Sequence, residues 1–397
     1  MSAPDTAHNN GPDNQSQPEA PLDAPHNPTK AVEQTRPSTI KITHQEERSI
    51  MTVALQKIIA PLRPHVAKPG KAMPKGSNQL DIPSKIQKDC DVKERQVEGI
   101  WVYDITSQSN AKSQPEHNDG ISKRRICYFA GGGWQMPPSS QHWNLVRAMA
   151  TRIPGSTISL ISYPLAPNSP AHTSLPQLKQ LYYALLEESA AQSQRLILAG
   201  DSAGGNVAIC LALWALTESA HSNPDTTAAG VDVPVAVMGI CPSTDLRHEH
   251  EDLEGVSKDD PLLTKEFVDS TAKAWCDGKV SSRKDTNSLL QKGEYAGGTL
   301  PGVDDIAWGP DDYRVSPVLG DLSLFRKYGV KVHGVTGNMD VLGIEAVIFR
   351  DKLGEAGVEG EWLEWDGQMH CFPLAFSYGL KESKMATDWM FDVLKRC

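Results

Sequence analysis

From about residue 97 onward, apolar residues fall alternately into short runs of strand length and longer stretches at helical spacing. VEGIWVYDI (97–105) predicts an outer strand, and a polar turn separates it from RRICYFA (124–130), a second strand. QHWNLVRAMATRI predicts a helix, TISLISY (157–163) a buried strand, and SLPQLKQLYYALLEESAAQ a helix with its stripe at Leu178, Leu181, Leu185 and Leu186. RLILA (195–199) and PVAVMGICP (234–242) predict further strands on either side of an apolar helix, VAICLALWAL. VKVHGVTG (330–337), a helix over about 343–356, EWLEW (361–365) and a helix from about Lys381 complete the series. Such alternation predicts an α/β fold: a mostly parallel sheet covered by helices on both faces.

The pattern lapses in three places. Residues 1–38 are rich in Pro, Asn, Asp, Gln and Ser and nearly free of large apolar residues, so a disordered tail is expected. In 39–66, Ile50, Val53, Ala54, Ile58 and Ile59 recur at helical spacing until PLRP (61–64) ends the run. That amphipathic helix is expected either to form part of a lid or to pack on the sheet. Residues 67–95 read as loop, and 243–310 as polar loops around one helix, LTKEFVDSTAKAWC. The expected organisation is a single domain over 39–396, with cap elements from about 39–66 and 243–310.

Composition narrows the partners. The chain has 397 residues, 39% hydrophobic, and a formal net charge of -10. This argues against nucleic acid, which needs a concentrated basic face that KRR (123–125) is too short to supply. The seven cysteines are odd in number and widely spaced without a CxxC pair, so buried free thiols are expected over a disulfide frame or a zinc site. The N-terminus has no basic region followed by an apolar stretch, and no segment approaches the ~20 apolar residues of a membrane span. A cytosolic protein is the expectation.

Chemistry concentrates in GDSAGGN (200–206), which places Ser202 on a tight turn from strand to helix. Gly200 and Gly204 let backbones pass closely there, and helix N-terminal amides favour developing negative charge. A chance GxSxG is the competing explanation, made rarer by the strand before it and the helix after it. GGGW (131–134) follows another strand at once, and its exposed amides are suited to an oxyanion; a plain flexible loop is the alternative.

Asp340 in GNMD and His370 in DGQMHCF each lie just past a predicted strand, where loops of an open parallel sheet converge. Glu345 falls within the next helix and Asp366 on the histidine's own loop, which leaves Asp340 the better approach to the imidazole. The histidines at 8, 26, 65, 117, 221, 248 and 250 lie in tail or loop segments far from a useful strand end.

In this constellation His370 takes the Ser202 proton as Oγ attacks an acyl carbonyl, and Asp340 fixes the tautomer. Amides of Gly132, Gly133 and Ala203 hold the oxyanion, each worth roughly 3 kcal/mol of barrier. No metal or organic cofactor is called for. Trp134, Met136 and Trp143 suggest an apolar or aromatic wall for a small acylated substrate, core packing being the commoner fate of such residues. The pattern is silent on oligomeric state.

These motifs resemble the hormone-sensitive-lipase-like branch of the α/β-hydrolase superfamily, especially esterase-like proteins of fungal secondary metabolism. The likeness covers about 95–396: GDSAGGN matches the branch's elbow, YFAGGGW stands where it carries HGGGW, and YPLAPNSPAHTSLPQL is similar to its YRLAPE stretch. SPVLGDL, GNMDVL and GQMHCF resemble its later blocks. The resemblance implies Ser202, Asp340 and His370 as triad, oxyanion amides from Gly132, Gly133 and Ala203, a cap from the two irregular segments, and a serine esterase. One departure stands out: Ala130 replaces the histidine that begins the family's glycine loop and buttresses it. A triad cannot distinguish water from another acceptor, so acyl transfer or a non-hydrolytic condensation or dehydration stays open. A ligand receptor on a hydrolase scaffold is a further alternative, which the presence of His370 disfavours.

Overall fold

The computed structural model describes residues 38–63, 71–109, 123–222, 233–277 and 308–397. The expected polar tail up to residue 37, and residues 278–307 of the second cap segment, lie outside the described residues. From residue 38 onward the described chain belongs to one compact unit.

Its frame is a nine-stranded sheet of β1 (Ile40–Gln45), β2 (Cys90–Val97), β3 (Ile100–Ser107), β4 (Arg124–Phe129), β5 (Ser156–Ser162), β6 (Arg195–Asp201), β7 (Ala236–Ile240), β8 (Lys331–Met339) and β9 (Gly360–Met369). The spatial order is β1-β9-β8-β7-β6-β4-β5-β3-β2. Pairing is parallel throughout except where β3 meets β2 and β5. Every residue of β4 and β7 is buried, as expected of central strands covered on both faces. The covering helices include α1 (Ile50–Ile59), α2 (Ser140–Arg152), α3 (Ala171–Ala191), α4 (Ser202–Ser222), α5 (Leu253–Asp259), α6 (Lys265–Asp277), α7 (Ser323–Lys327), α8 (Gly343–Glu355) and α9 (Lys381–Arg396). No described helix is long and apolar enough to cross a membrane.

Three details depart from the sequence pattern. The predicted strand 97–105 is two strands, because Glu98 (φ 49°) and Gly99 (φ 74°) make a two-residue turn with both central residues left-handed, the geometry that closes a tight hairpin. The outer partner, β2, lies in the stretch expected to be loop: as an edge strand it carries Lys93, Glu94 and Arg95 and so lacks an apolar signature. The other edge, β1, is hidden for the same reason, burying only Ile40.

The third departure is α1, whose buried residues are Thr52 and Gln56, while Ile50 and Ile58 are 88% and 63% exposed. Polar contacts decide its orientation. Ser49 Oγ and Thr52 Oγ1 donate to Glu382 of α9 at 3.0 and 2.8 Å, and Gln56 Nε2 donates to the Gly367 carbonyl at 2.8 Å. The apolar stripe therefore faces outward, with Ile59 alone of its five residues lining the main cavity described below.

KRR does not form a basic surface. Arg124 and Arg125 are buried in β4, and Arg125 Nη1 donates to Asp104 Oδ1 at 3.0 Å and to Ser159 Oγ at 3.1 Å. Arg95 bridges the same Asp104 (2.8 Å) to Glu188 (2.7 Å). A buried guanidinium is tolerated only while paired. Asp104→Ala is therefore expected to cost roughly 3 kcal/mol in urea unfolding, by leaving the buried Arg125 with Glu188, 3.6 Å away, as its remaining carboxylate partner. An Arg125→Met/Asp104→Leu double variant, in which no buried charge is stranded at this pair, is expected to recover part of that loss.

Candidate active site

Ser202 follows β6 directly and has φ 52°, a left-handed backbone that costs a non-glycine residue about 1–3 kcal/mol. Close packing imposes it. A Cβ on Gly204 would run into the Phe129 carbonyl at the end of β4, and one on Gly200 into the Gly204 backbone. With glycine at both positions α4 presses against the ends of β4 and β6, and its first residue is turned out of the sheet.

The neighbouring Asp201 organises the glycine loop. Its Oδ1 accepts from Tyr128 Oη (2.6 Å) and the Gly131 amide (3.0 Å), and Oδ2 lies 3.1 Å from His142 Nε2. His142 Nδ1 accepts from the Ser139 amide at 2.9 Å, so the ring proton sits on Nε2 and points at Asp201. Burial alone would raise the Asp201 carboxyl, but the His142 imidazole and the hydrogen bonds from Tyr128 and Gly131 outweigh it and hold it below the usual range. Ala130, where the family carries histidine, is buried and offers its carbonyl to Tyr163 Oη at 2.8 Å. The loop is thus held by Asp201 and Tyr163 rather than by a side chain at position 130.

Beyond Gly131 the backbone turns through Gly132 (φ 130°), Gly133 (φ 58°) and Trp134 (φ 56°), and the Gly132 carbonyl receives the amides of Gln135 and Met136 at 3.1 Å. The amides of Gly132, Gly133 and Ala203 donate to no group among the described residues. They remain free for an incoming anion.

Asp340 and His370 follow β8 and β9 immediately. Asp340 Oδ2 lies 2.8 Å from His370 Nδ1, and Oδ1 accepts from the Leu342 amide at 2.9 Å. Burial opposes charge on the imidazole, but the Asp340 carboxylate dominates and pushes its pKa up to about 9. The other two acids lie elsewhere: Glu345 meets His248 Nδ1 at 2.9 Å, and Asp366 accepts from Asn338 Nδ2 at 2.8 Å. His248 is accordingly no exposed loop residue; it is buried against Glu345.

Ser202 and His370 open on one cavity of about 360 Å³, walled by Gly131 to Gly133, Met136, Phe267 and Leu374. Ser202 also borders a second cavity of about 20 Å³ with Ala203, Trp134, Ser243 and His248, which His370 does not reach. Met136 thus lines the larger space, whereas Trp134 borders the smaller and stacks on Trp275 at 5.8 Å between ring centroids. Trp143 is in the core, edge-on to Tyr103. Among the described residues the Ser202 hydroxyl has no hydrogen-bond partner, and His370 Nε2 lies 3.3 Å from Cys371 Sγ instead. Catalytic contacts of this kind often tighten only around substrate.

Five contributors escaped the sequence. Asp201 stands inside GDS, where a carboxylate beside the elbow was the available signal; His142 and Cys371 gave none. Asp260, at the end of α5, accepts the Leu262 and Leu263 amides (2.7 and 3.0 Å) on one oxygen and the Val341 amide (2.9 Å) on the other, pinning the Asp340 loop. Burial first, and the Asp340 charge second, push its carboxyl up to about 6. Arg63, past α1, donates to the Ser257 and Asp260 carbonyls at 2.8 and 2.7 Å, so the two irregular segments are tied to each other.

Residues 126–304 match a family described as alpha/beta hydrolase fold. An acetyl-hydrolase of Streptomyces hygroscopicus is 30% identical over 65% of this chain and 70% of its own length. An esterase of Acinetobacter venetianus is 25% identical over 66% of this chain and 71% of its own. Human hormone-sensitive lipase is 29% identical over 42% of this chain, a match that spans only 15% of the lipase. Among solved structures, carboxyl esterase 2 from the mycorrhizal fungus Tuber melanosporum superposes with a TM-score of 0.63 at 16% identity, over 88% of this chain and 99% of that one. An esterase from the bacterial hormone-sensitive lipase family gives 0.61 at 20% identity, over the same shares. With its parallel sheet and its elbow of GDSAGG sequence, the chain belongs to the hormone-sensitive-lipase-like branch of the α/β hydrolases.

Proposed function

We propose that the protein is a serine ester hydrolase that forms an acyl-enzyme on Ser202. The observation that carries this reading is the 2.8 Å contact of Asp340 with His370, on an imidazole that shares a cavity with Ser202 and the free loop amides. His370 Nε2 accepts the Ser202 proton as Oγ attacks the acyl carbonyl. Asp340 holds the opposite nitrogen protonated and stabilises the imidazolium. Gly132, Gly133 and Ala203 amides take the oxyanion, His370 returns the proton to the leaving oxygen, and water releases the acyl group by the same steps. The described parts of the two irregular segments, 39–63 and 243–277, act as the cap over the site, with Ile59, Leu263 and Phe267 on its cavity.

The two cavities divide the substrate. The leaving group must receive its proton from His370, so it occupies the 360 Å³ space that His370 lines. The acyl chain then extends into the 20 Å³ space beyond Ser202, which admits little more than a methyl group. The substrate is therefore a short-chain, acetyl-like ester of a larger, largely apolar alcohol, and the name of the Streptomyces relative, an acetyl-hydrolase, agrees with this. We place the reaction in the biosynthesis of a small acylated metabolite, where the family resemblance points, and in the cytosol, in keeping with the free state of all seven cysteines.

Ser202→Ala is expected to lower kcat on p-nitrophenyl acetate by about 10⁴ or more and to abolish labelling by a fluorophosphonate. Equal rates in variant and wild type would remove Ser202 from the mechanism. A competing alcohol in the assay should leave the product pattern hydrolytic; a transferred acyl group would reassign the acceptor.

Because His370 must be neutral to accept a proton and Asp340 raises its pKa, kcat/KM should fall with acid along a limb lying above 6.5, the ordinary imidazole value. Asp340→Asn is expected to move that limb to lower pH and to lower kcat by about 10⁴. An unmoved limb in the variant would mean that the titrating group is not His370.

Across p-nitrophenyl esters, kcat/KM should be highest for acetate, lower for butyrate and lowest for octanoate, by at least ~10-fold from first to last. A flat or rising series, with Ser202 still labelled, would overturn the assignment of the small cavity while leaving the hydrolase reading intact.

A further inference from the structure

Two thiols lie beside the imidazole that the proposed mechanism uses. Cys241 follows β7, its amide donating to the Val335 carbonyl at 2.7 Å, and Cys371 follows His370. Although 130 positions separate them in the chain, ligand atoms of Cys241, His370 and Cys371 all lie within 4.8 Å of one another. Cys371 Sγ is 3.3 Å from His370 Nε2 and 3.8 Å from both Asp201 Oδ2 and the Ile240 carbonyl. In tetrahedral coordination, zinc bonds of ~2.3 Å to sulfur and ~2.0 Å to nitrogen set the ligand atoms about 3.5–3.8 Å apart. The Cys371–His370 pair, at 3.3 Å, is near that spacing, and the Cys241 sulfur lies within 4.8 Å of both.

We propose that Cys241, His370 and Cys371 bind a thiophilic divalent cation, Zn²⁺ being the type, and that the bound cation removes His370 from catalysis. The donor set, two sulfurs and one imidazole nitrogen, suits a borderline-soft ion over Mg²⁺ or Ca²⁺, which take oxygen. Asp340 occupies Nδ1, so Nε2 is the nitrogen left to coordinate, in the carboxylate–histidine–metal arrangement that orients many zinc ligands. Both thiols give up a proton on binding, and so does the His370 imidazole wherever it is protonated, its pKa being pushed up to about 9; the site then becomes neutral: one dication, two thiolates and a neutral imidazole. Cys371 and His370 line the 360 Å³ cavity, which would supply water for a fourth position and the entry path. With Nε2 on the cation, the Ser202 proton has no acceptor. The coordination stands independently of the hydrolase reading; the inhibition rests on it.

The test uses the full chain, reduced and freed of metal. Cobalt(II) is expected to give a thiolate-to-metal charge-transfer band in the near ultraviolet that saturates at one equivalent and is displaced by Zn²⁺. Hydrolysis of p-nitrophenyl acetate should fall in step with Zn²⁺ occupancy and return on adding a chelator. Cys371→Ala and Cys241→Ala should each lose the band and weaken Zn²⁺ binding by about 100-fold or more, at or beyond what outer-shell partners alone contribute. Ser202→Ala should bind the cation as wild type does, which separates failure of this site from failure of the nucleophile assignment. Absence of the thiolate band in the wild-type chain overturns the site whether or not the variants fold, and so does a band that survives in both cysteine variants. Full activity with one equivalent of Zn²⁺ bound there overturns the inhibition.

Discussion

The contact of Gly204 with the Phe129 carbonyl governs the arrangement of this molecule's active end. Because no Cβ stands there, α4 can press against the ends of β4 and β6, and the chain between strand and helix has no room except through a left-handed residue. Ser202 is that residue. Its strain is sustained by the burial of α4 on nearly every side, unbroken from Ala203 through Leu213, so the Ser202 hydroxyl stands on a firmly packed helix. The same closeness brings Asp201 within reach of the glycine loop.

Asp201 holds the glycine loop from beneath. One carboxylate oxygen holds the Gly131 amide and the Tyr128 hydroxyl, while the other holds His142, so the loop carrying the free amides is fixed from beneath by a charge. With Ala130 the loop loses a side-chain buttress yet keeps a rigid base. A preorganised set of donors needs only that the backbone be held, whichever side chain holds it.

On the opposite side, Asp260 and Arg63 connect the irregular segments to the acid–imidazole pair. Asp260 takes the Val341 amide next to Asp340, and Arg63 takes the carbonyl of Asp260 itself. The irregular segments are thus bonded, through Arg63 and Asp260, to the residue next to Asp340. The outward-facing apolar stripe of α1 belongs to the same arrangement: polar bonds to Glu382 and Gly367 fix that helix and bring Ile59 to the cavity rim.

The sequence alone determined the alternation of elements, the position of the elbow and the post-strand placement of Asp340 and His370. These are local properties: apolar runs of strand length, glycines where backbones meet, polar residues just past a strand end. It did not reveal β1 and β2, since edge strands that bury one face or less carry no apolar signature. Nor did it decide which face of α1 is buried, because periodicity reports which residues could be buried together and not whether polar partners elsewhere bind the other face more strongly. Only the tertiary structure paired Arg125 with Asp104, set His142 against Asp201, and gathered Cys241, His370 and Cys371 at one point. Each of those groupings draws on separate segments of the chain, even though His370 and Cys371 are neighbours, and complementary charge or ligand geometry leaves no period in a sequence.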